Sequence, residues 1–294
     1  MRNVEGKVAF ITGGASGIGW GMARAFMDAG MKVVVADLLQ QHLDEAAAQY
    51  PGKYNLHFIR VDVTDRPGME RAAEETERVF GKVHVLCNNV GVASRGNVDE
   101  ATYEDWDYVI DVNVKGAANG LVNFLPRIKK HGEGGHIVNT SSMAGMIPVP
   151  AFVGTYSTAK FAIRGMSDSL RLALVPYRIG VSVLCPGLVA TRAMTGGAAY
   201  RKAHDTGAVD ETPPPITGGM DPLAVGQRVL EAIHKNEAYI FPHGEFKDEV
   251  ASYFQRMLDA FPGDQDIDPE RRAMEERRAR QTEETRQAAD ALDN

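Results

Sequence analysis

Tyr156 and Lys160 stand four residues apart in Tyr-Ser-Thr-Ala-Lys, a spacing that puts a phenol and an ammonium on one face of a helix. A free tyrosine titrates near ~10, too high to act as a base at neutral pH, and a neighbouring cation favours the phenolate. Bringing the phenol down to about 7 takes roughly 4 kcal/mol. So placed, Tyr156 can take a proton from a hydroxyl and return it. The spacing by itself is common on helices, and its meaning depends on what surrounds it. Upstream, residues 136–142 read as a strand ending in Thr140-Ser141-Ser142. A serine at the carboxyl end of a strand can hold a reacting oxygen, polarising a carbonyl or orienting an alcohol. Ser142 ends the strand and is the first choice; Ser141 is the alternative.

A second constellation lies near the start of the chain. Directly after an apolar run comes Thr12-Gly13-Gly14-Ala15-Ser16-Gly17-Ile18-Gly19, opening a helical pattern. Glycines there let the backbone turn tightly and approach a pyrophosphate, while the helix start offers N–H groups to the anion. About twenty residues on, the next apolar run ends in Asp37. A carboxylate at that place accepts the ribose hydroxyls of an adenosine and repels a 2′-phosphate. No Lys or Arg interrupts the glycine loop, and Leu38 and Leu39 follow the aspartate. NAD(H) is therefore expected as cofactor, with NADP(H) disfavoured. Asp62-Val63 and Asn88-Asn89-Val90-Gly91 end the third and fourth runs and point to the same crevice. With a dinucleotide in place, Lys160 and the positive nicotinamide together could bring Tyr156 into range while a hydride leaves the alcohol carbon.

These residues need a frame. Strands are expected at 7–12, 32–36, 56–61, 83–87, 136–140 and 181–185. Helical periodicity lies between them at 18–29, 43–49, 68–80, 103–130 and 155–177. Apolar runs without strict alternation suit strands covered on both faces, and the alternation of strand and helix implies right-handed βαβ units. The expected fold is α/β, a single doubly wound parallel sheet of Rossmann type with helices on both faces and a C-terminal helical extension. One domain over 1–294 is expected: a dinucleotide-binding and catalytic core at 6–192, a substrate loop at 193–220 and a helical extension at 245–294. Residues 194–219, rich in glycine and carrying Pro213-Pro214-Pro215, read as a long irregular loop. A helix follows at 222–235, with Asp221 as N-cap, then a short strand at 238–241.

With these motifs in order along the chain, it resembles the short-chain dehydrogenase/reductase family over residues 6 to about 192. The matching motifs are residues 12–19, 88–91, Ser142, Tyr156 with Lys160, and Pro186-Gly187. The resemblance implies that Ser142 positions substrate, Tyr156 is the acid/base and Lys160 also binds the nicotinamide ribose. It implies that Asn113 completes a proton relay through water and that Thr191 bonds the nicotinamide amide. By the same resemblance the cofactor site comprises Gly13, Ser16, Gly17, Ile18, Gly19, Asp37, Asp62, Val63, Asn89, Val90, Gly91, Tyr156, Lys160, Pro186, Gly187, Val189 and Thr191. Val90 stands where the family usually has alanine. The serine–tyrosine spacing is one longer than common, with Met143 at the usual offset, and the tail after 245 exceeds a minimal member.

The substrate side is expected to be walled by Met143, Met146, Ile147, Val149, Phe152, Val153, Met194 and Tyr200, with Met143, Phe152 and Met194 forming the pocket. Sulfurs and aromatics suit an adaptable apolar pocket, hence a hydrophobic, aromatic secondary alcohol and its ketone. The loop and the segment 238–243 are similar to bacterial dehydrogenases that oxidise the benzylic Cα alcohol of lignin-derived aryl ethers. A general ketone, steroid or 3-oxoacyl reductase on the same site is the alternative. A non-catalytic dinucleotide-binding regulator is the other, and the intact Ser142–Tyr156–Lys160 set argues against it. The net charge of −7 argues against a nucleic-acid partner. No apolar run reaches membrane-spanning length and no secretory signal leads the chain, so a cytoplasmic protein is expected. Cys87 and Cys185 read as buried thiols, and the eight histidines show no metal-ligand spacing, so no metal is expected. The resemblance suggests a homodimer or homotetramer built on the helices near 103–130 and 155–177.

Overall fold

The computed structural model describes residues 1–94, 96–149, 153–193, 197–206, 214–263 and 268–292. Seven parallel strands form one sheet in the order β3-β2-β1-β4-β5-β6-β7. They are β1 (Val8–Thr12), β2 (Lys32–Asp37), β3 (Leu56–Arg60), β4 (Val85–Asn88), β5 (Gly135–Thr140), β6 (Ile179–Leu184) and β7 (Tyr239–Ile240). Helices α1 (Gly17–Asp28), α2 (Gln40–Gln49), α3 (Arg66–Phe80), α4 (Tyr103–Ile110), α5 (Gly116–His131) and α6 (Gly154–Ala173) connect them in alternation. After β6 come α7 (Gly197–Thr206), α8 (Pro222–Lys235), α9 (Lys247–Asp259) and α10 (Pro269–Asp290). This is the doubly wound Rossmann-type sheet expected from the alternation, and the C-terminal helix is present.

The strands read as continuous apolar runs because helices cover both faces. In β1, Ala9 and Ile11 face a layer containing Met22 and Phe26 of α1 and Val225, Val229 and Ile233 of α8. Phe10 faces the other way, toward Met69, Val109, Phe124 and Ile128, with its ring centroid 4.1 Å from that of Phe124. Helices α1 and α8 touch backbone to backbone: a Cβ on Gly21 would overlap the Pro222 carbonyl, and one on Gly226 would overlap that of Gly21. The chain runs outward from β1 to β2 and β3, then returns to start β4 on β1's other side. Such a reversal opens a crevice beyond the strand ends, where ligands of these sheets sit.

Two expectations change. The helical stretch at 103–130 is interrupted by a π-helical turn at Asp111–Lys115. The glycine-rich segment after 193 holds a helix, α7, where an irregular loop was expected. Strand and helix ends otherwise shift by a few residues, and the last turns of the helix expected at 155–177 form a separate 3-10 turn at Val175–Tyr177. The end of α10 is anchored by buried Arg171, which donates to Val181 O and to Asp290 Oδ1, both at 2.8 Å. Asn236 Nδ2 donates to Ala289 O at 2.8 Å beside it. Both cysteines are free and buried. Among the described residues no helix is long and apolar enough to cross a membrane.

Candidate active site

Beyond β1 and β4 the chain makes a glycine turn and enters α1. Gly13 (φ +60°) and Gly17 (φ +50°) hold left-handed backbone, which a side chain would strain. Gly19 is required for space, since its Cβ would overlap the Gly13 carbonyl oxygen. Ser16 is the N-cap of α1 but makes no side-chain capping bond, which leaves the first turn's N–H groups for an anion. Ile18 packs against the core under the turn. Asn89 braces it from β4: Nδ2 donates to Thr12 O and Gly13 O at 3.2 and 3.3 Å, and Oδ1 accepts from Thr140 Oγ1 at 3.1 Å. The N–H groups of Asn89 and Val90 both donate to Thr12 Oγ1, at 2.9 and 3.3 Å.

Asp37, 7 % exposed, ends β2. Its carboxylate is fixed by two backbone donors, Leu39 N–H at 3.1 Å and Ala15 N–H at 3.3 Å, the second from the glycine turn itself. Asp62 follows β3 and accepts from Thr64 N–H and Oγ1 through one oxygen, both at 2.8 Å. Its other oxygen lies 3.3 Å from His204 Nδ1. Val63 O accepts from Asn119 Nδ2 at 2.8 Å. His204 belongs to α7, which is also tied down by Arg201 Nη1 donating to Asp105 Oδ1 at 2.6 Å. Tyr200, expected on the substrate wall, instead meets His42 edge-on at 6.0 Å, near Ser16 and Asp37. Burial, reinforced by the Asp37 charge, pushes its phenol up to about 12. Helix α7 thus lies across the Asp37–Asp62 end of the crevice.

At the other end stands the tyrosine–lysine pair, in the first two turns of α6. Lys160 is 2 % exposed; its Nζ donates to Thr140 O at 2.8 Å and sits 5.4 Å from the centre of the Tyr156 ring. Burial pushes its ammonium down to about 8. The Tyr156 phenol is raised by burial, and a hydrogen bond with Ser142 draws it back. The lowering of the phenol expected from the sequence needs Lys160 and a positive nicotinamide together; in the protein alone the ammonium is turned to the Thr140 carbonyl and burial dominates. Ser141 is fully enclosed and donates to Lys160 O at 2.8 Å. Ser142 is only part-buried and accepts from Ala144 N–H at 3.1 Å, capping the turn Met143–Gly145. Asn113 lies in the π-helical turn, its amide paired with Val92 through both backbone groups at 2.8 Å. A Cβ on Gly91 would stand 2.8 Å from Lys160 Nζ and 3.2 Å from Asn113 Oδ1. Gly91, Asn113 and Lys160 therefore meet around one point.

The segment after β6 closes the crevice. Pro186 O accepts from Met143 N–H at 2.9 Å. Around Val189 the chain pairs with Met220, which donates to Leu188 O at 3.0 Å and accepts from Ala190 N–H at 2.9 Å. The Thr191 methyl lies 2.9 Å from where a Gly17 Cβ would be. Met143, expected in the substrate pocket, is a correction: it is buried with Met146, Ile147, Val183 and Cys185, under Phe246, Val250, Tyr253 and Phe254. Phe246 and the helix α9 that follows it cover that face and make it core. Phe152 and Met194 lie outside the described residues.

A sequence profile described as short chain dehydrogenase matches residues 7–200. The chain belongs to this family. It is 35% identical over 269 residues to the C alpha-dehydrogenase of Sphingobium sp. (strain NBRC 103272 / SYK-6), covering 88% of each chain. The structure of a short-chain dehydrogenase from Novosphingobium aromaticivorans superposes with a TM-score of 0.83 at 37% identity, covering 97% of this chain and 99% of that one. A short-chain dehydrogenase/reductase from Burkholderia phymatum, solved in complex with NAD, gives 0.77 at 29% identity, covering 91% and 100%. As a short-chain dehydrogenase, the protein is a nucleotide-binding oxidoreductase.

Sequence reasoning missed several residues that shape the crevice of this short-chain dehydrogenase. Thr12 knots β1 to β4, and its place in the glycine motif was the available signal. His204 carried none, and His243 only its place at the end of the segment 238–243, since each meets its partners only through the fold. One metal-like cluster exists among the described residues, His84, His131 and Glu133, beside the amino ends of β1, β4 and β5. Its imidazoles are already committed: each Nδ1 accepts a backbone N–H at 3.1 Å, from Val8 and from Glu133. Each Nε2 then carries the proton, toward Glu133 at 3.1 Å and toward Val83 O at 2.8 Å. Neither ring has a lone pair left for a cation.

Proposed function

We propose that this oxidoreductase uses NAD to interconvert a hydrophobic, aromatic secondary alcohol and its ketone. The observation that carries the reading is buried Lys160, its Nζ 5.4 Å from the centre of the Tyr156 ring and donating to Thr140 O, beyond the same ends of the strands as the glycine turn. The crevice fits a dinucleotide: the left-handed glycines and uncapped α1 suit a pyrophosphate, and Asp37, held by two amides, suits an adenosine ribose. NAD+, when bound, supplies the hydride acceptor and a positive ring near the phenol. Ser142 holds the substrate oxygen. Tyr156 takes the hydroxyl proton as the C–H bond of the alcohol gives up its hydride, leaving a ketone; the reverse reaction returns the proton. Lys160, with a value of about 8, is still an ammonium at neutral pH and favours the phenolate that burial opposes. Asn113, locked to Val92, would order a water beside Lys160.

NAD is favoured over NADP because a carboxylate at Asp37 repels a 2′-phosphate, and the relative from Burkholderia phymatum is an NAD complex. The aromatic class rests on the resemblance of the loop and the 238–243 segment, and on the relative named C alpha-dehydrogenase. The test is a dinucleotide-coupled screen of aryl, steroidal and aliphatic secondary alcohols with both cofactors. NADH formation from aryl alcohols is expected, with kcat reduced about 10²- to 10⁴-fold in Tyr156→Phe. Strong NADP preference would overturn the reading of Asp37. Preference for aliphatic or steroidal alcohols would overturn the substrate class, and full activity in Tyr156→Phe the mechanism.

A further inference from the structure

The backbone at Gly187 and Leu188 is gripped by a side chain from outside the six-stranded part of the sheet. His243 follows β7 and is 6 % exposed. Its Nδ1 accepts from Gly187 N–H at 3.1 Å, and its Nε2 stands 3.1 Å from Leu188 O. One tautomer satisfies both: the lone pair on Nδ1, the proton on Nε2. The Phe246 ring meets the imidazole edge-on at 6.2 Å, and a Cβ on Gly187 would come within 2.6 Å of Phe246 Cε2. The residue before this peptide, Pro186, accepts from the backbone of Met143, next to Ser142. Leu188 O also accepts from Met220 N–H, and Ala190 N–H donates to Met220 O. His243 is thus the one side chain, among the described residues, that hydrogen-bonds this stretch on both sides of the Gly187–Leu188 peptide.

We propose that His243 is a positioning residue for the nicotinamide end of the cofactor. By holding the Gly187–Leu188 peptide it fixes the path of the segment that leads to Val189 and Thr191, without touching substrate or cofactor itself. This rests on the proposed function and on the family resemblance by which Thr191 bonds the nicotinamide amide. Its signature is selective. A dinucleotide needs the whole crevice, whereas ADP-ribose uses the glycine turn and Asp37 and has no nicotinamide to place.

The experiment is calorimetric titration of unmodified protein, His243→Phe and His243→Gln with NAD and with ADP-ribose. If the unmodified protein binds NADP more tightly, NADP and 2′-phospho-ADP-ribose replace them, so a mistaken cofactor preference shows before any variant is read. His243→Phe, which keeps a ring and loses both bonds, is expected to weaken dinucleotide binding about five- to tenfold. ADP-ribose binding should stay within about twofold. His243→Gln keeps a donor for Leu188 O and should show a smaller loss of the same selectivity; it decides the matter if the phenylalanine variant does not fold. Equal weakening of both ligands, or no weakening of the dinucleotide in the folded variants, overturns the proposal.

Discussion

Two adjacent serines separate structure from chemistry. Ser141 turns inward and donates to Lys160 O, while Ser142 stays part-exposed and draws the Tyr156 phenol back against the upward push of burial. Ser141→Ala should therefore lower stability by about 1 kcal/mol in urea titrations with little change in kcat. Ser142→Ala should cut kcat roughly 10²-fold, a loss of activity that Ser141→Ala lacks, while the lost cap on Met143–Gly145 lowers stability by about 1 kcal/mol. The sequence pattern favoured Ser142 but left both open, because nothing local says which way each hydroxyl turns. Lys160 carries a second prediction. Its folded value of about 8 lies below the unfolded 10.5. Below pH 8 both states hold the proton, and the fold bears the full cost of a buried ammonium. Between about 8 and 10.5 the unfolded chain binds more protons, so stability rises with pH. Urea midpoints across that window should climb more steeply in the unmodified protein than in Lys160→Met.

Among the elements, the glycine turn is the most constrained. A methyl at Gly19 would overlap the Gly13 carbonyl, so α1 could no longer rise under the turn. Gly19→Ala should weaken NAD and ADP-ribose alike, by about tenfold or more, in the same calorimetric assay. Strands and most helices were legible because each is long enough to show its own period. Helix α7 was not: Gly-Ala-Ala-Tyr-Arg-Lys-Ala-His-Asp-Thr sits in a glycine- and proline-rich stretch. Its fastening to Asp105 and Asp62 comes from residues about 90 to 140 positions away. The π-helical turn that presents Asn113 was equally hidden, since one extra residue in a helical turn leaves no compositional mark. Met143 misled for a related reason. An apolar residue beside a strand-end serine suits a pocket wall and a core equally well, and only the position of α9 decides between them.

The whole molecule is stapled at its far end by Arg171. That guanidinium collects Val181 O, Asn236 O and Asp290 Oδ1, each at 2.8 Å, so α10 completes a buried polar network. Cutting the chain after Phe261 removes two of the partners around Arg171 and Asn236. We expect such a truncation to cost about 1–3 kcal/mol of stability while leaving ADP-ribose affinity unchanged. Light scattering on the same pair of proteins reads whether the subunit number changes. A loss of ADP-ribose binding would mean that the extension supports the crevice as well as the sheet.

The strand order also bears on how the chain is made. β1 leaves the ribosome before the other strands, yet ends in the middle of the sheet, flanked by β2 and β4. A nascent chain that has reached Thr140 holds the glycine turn, Asp37 and Asn89, but neither Tyr156 nor Lys160. Its β5 edge, every residue of which is buried in the finished protein, then waits for β6 with its hydrogen bonds open. Parallel partners cannot be supplied by a tight hairpin, so that wait lasts through the synthesis of all of α6. Translation past Thr140 is thus, like the longer stretch past Asn88, a phase in which a strand edge buried in the finished protein lies open to association.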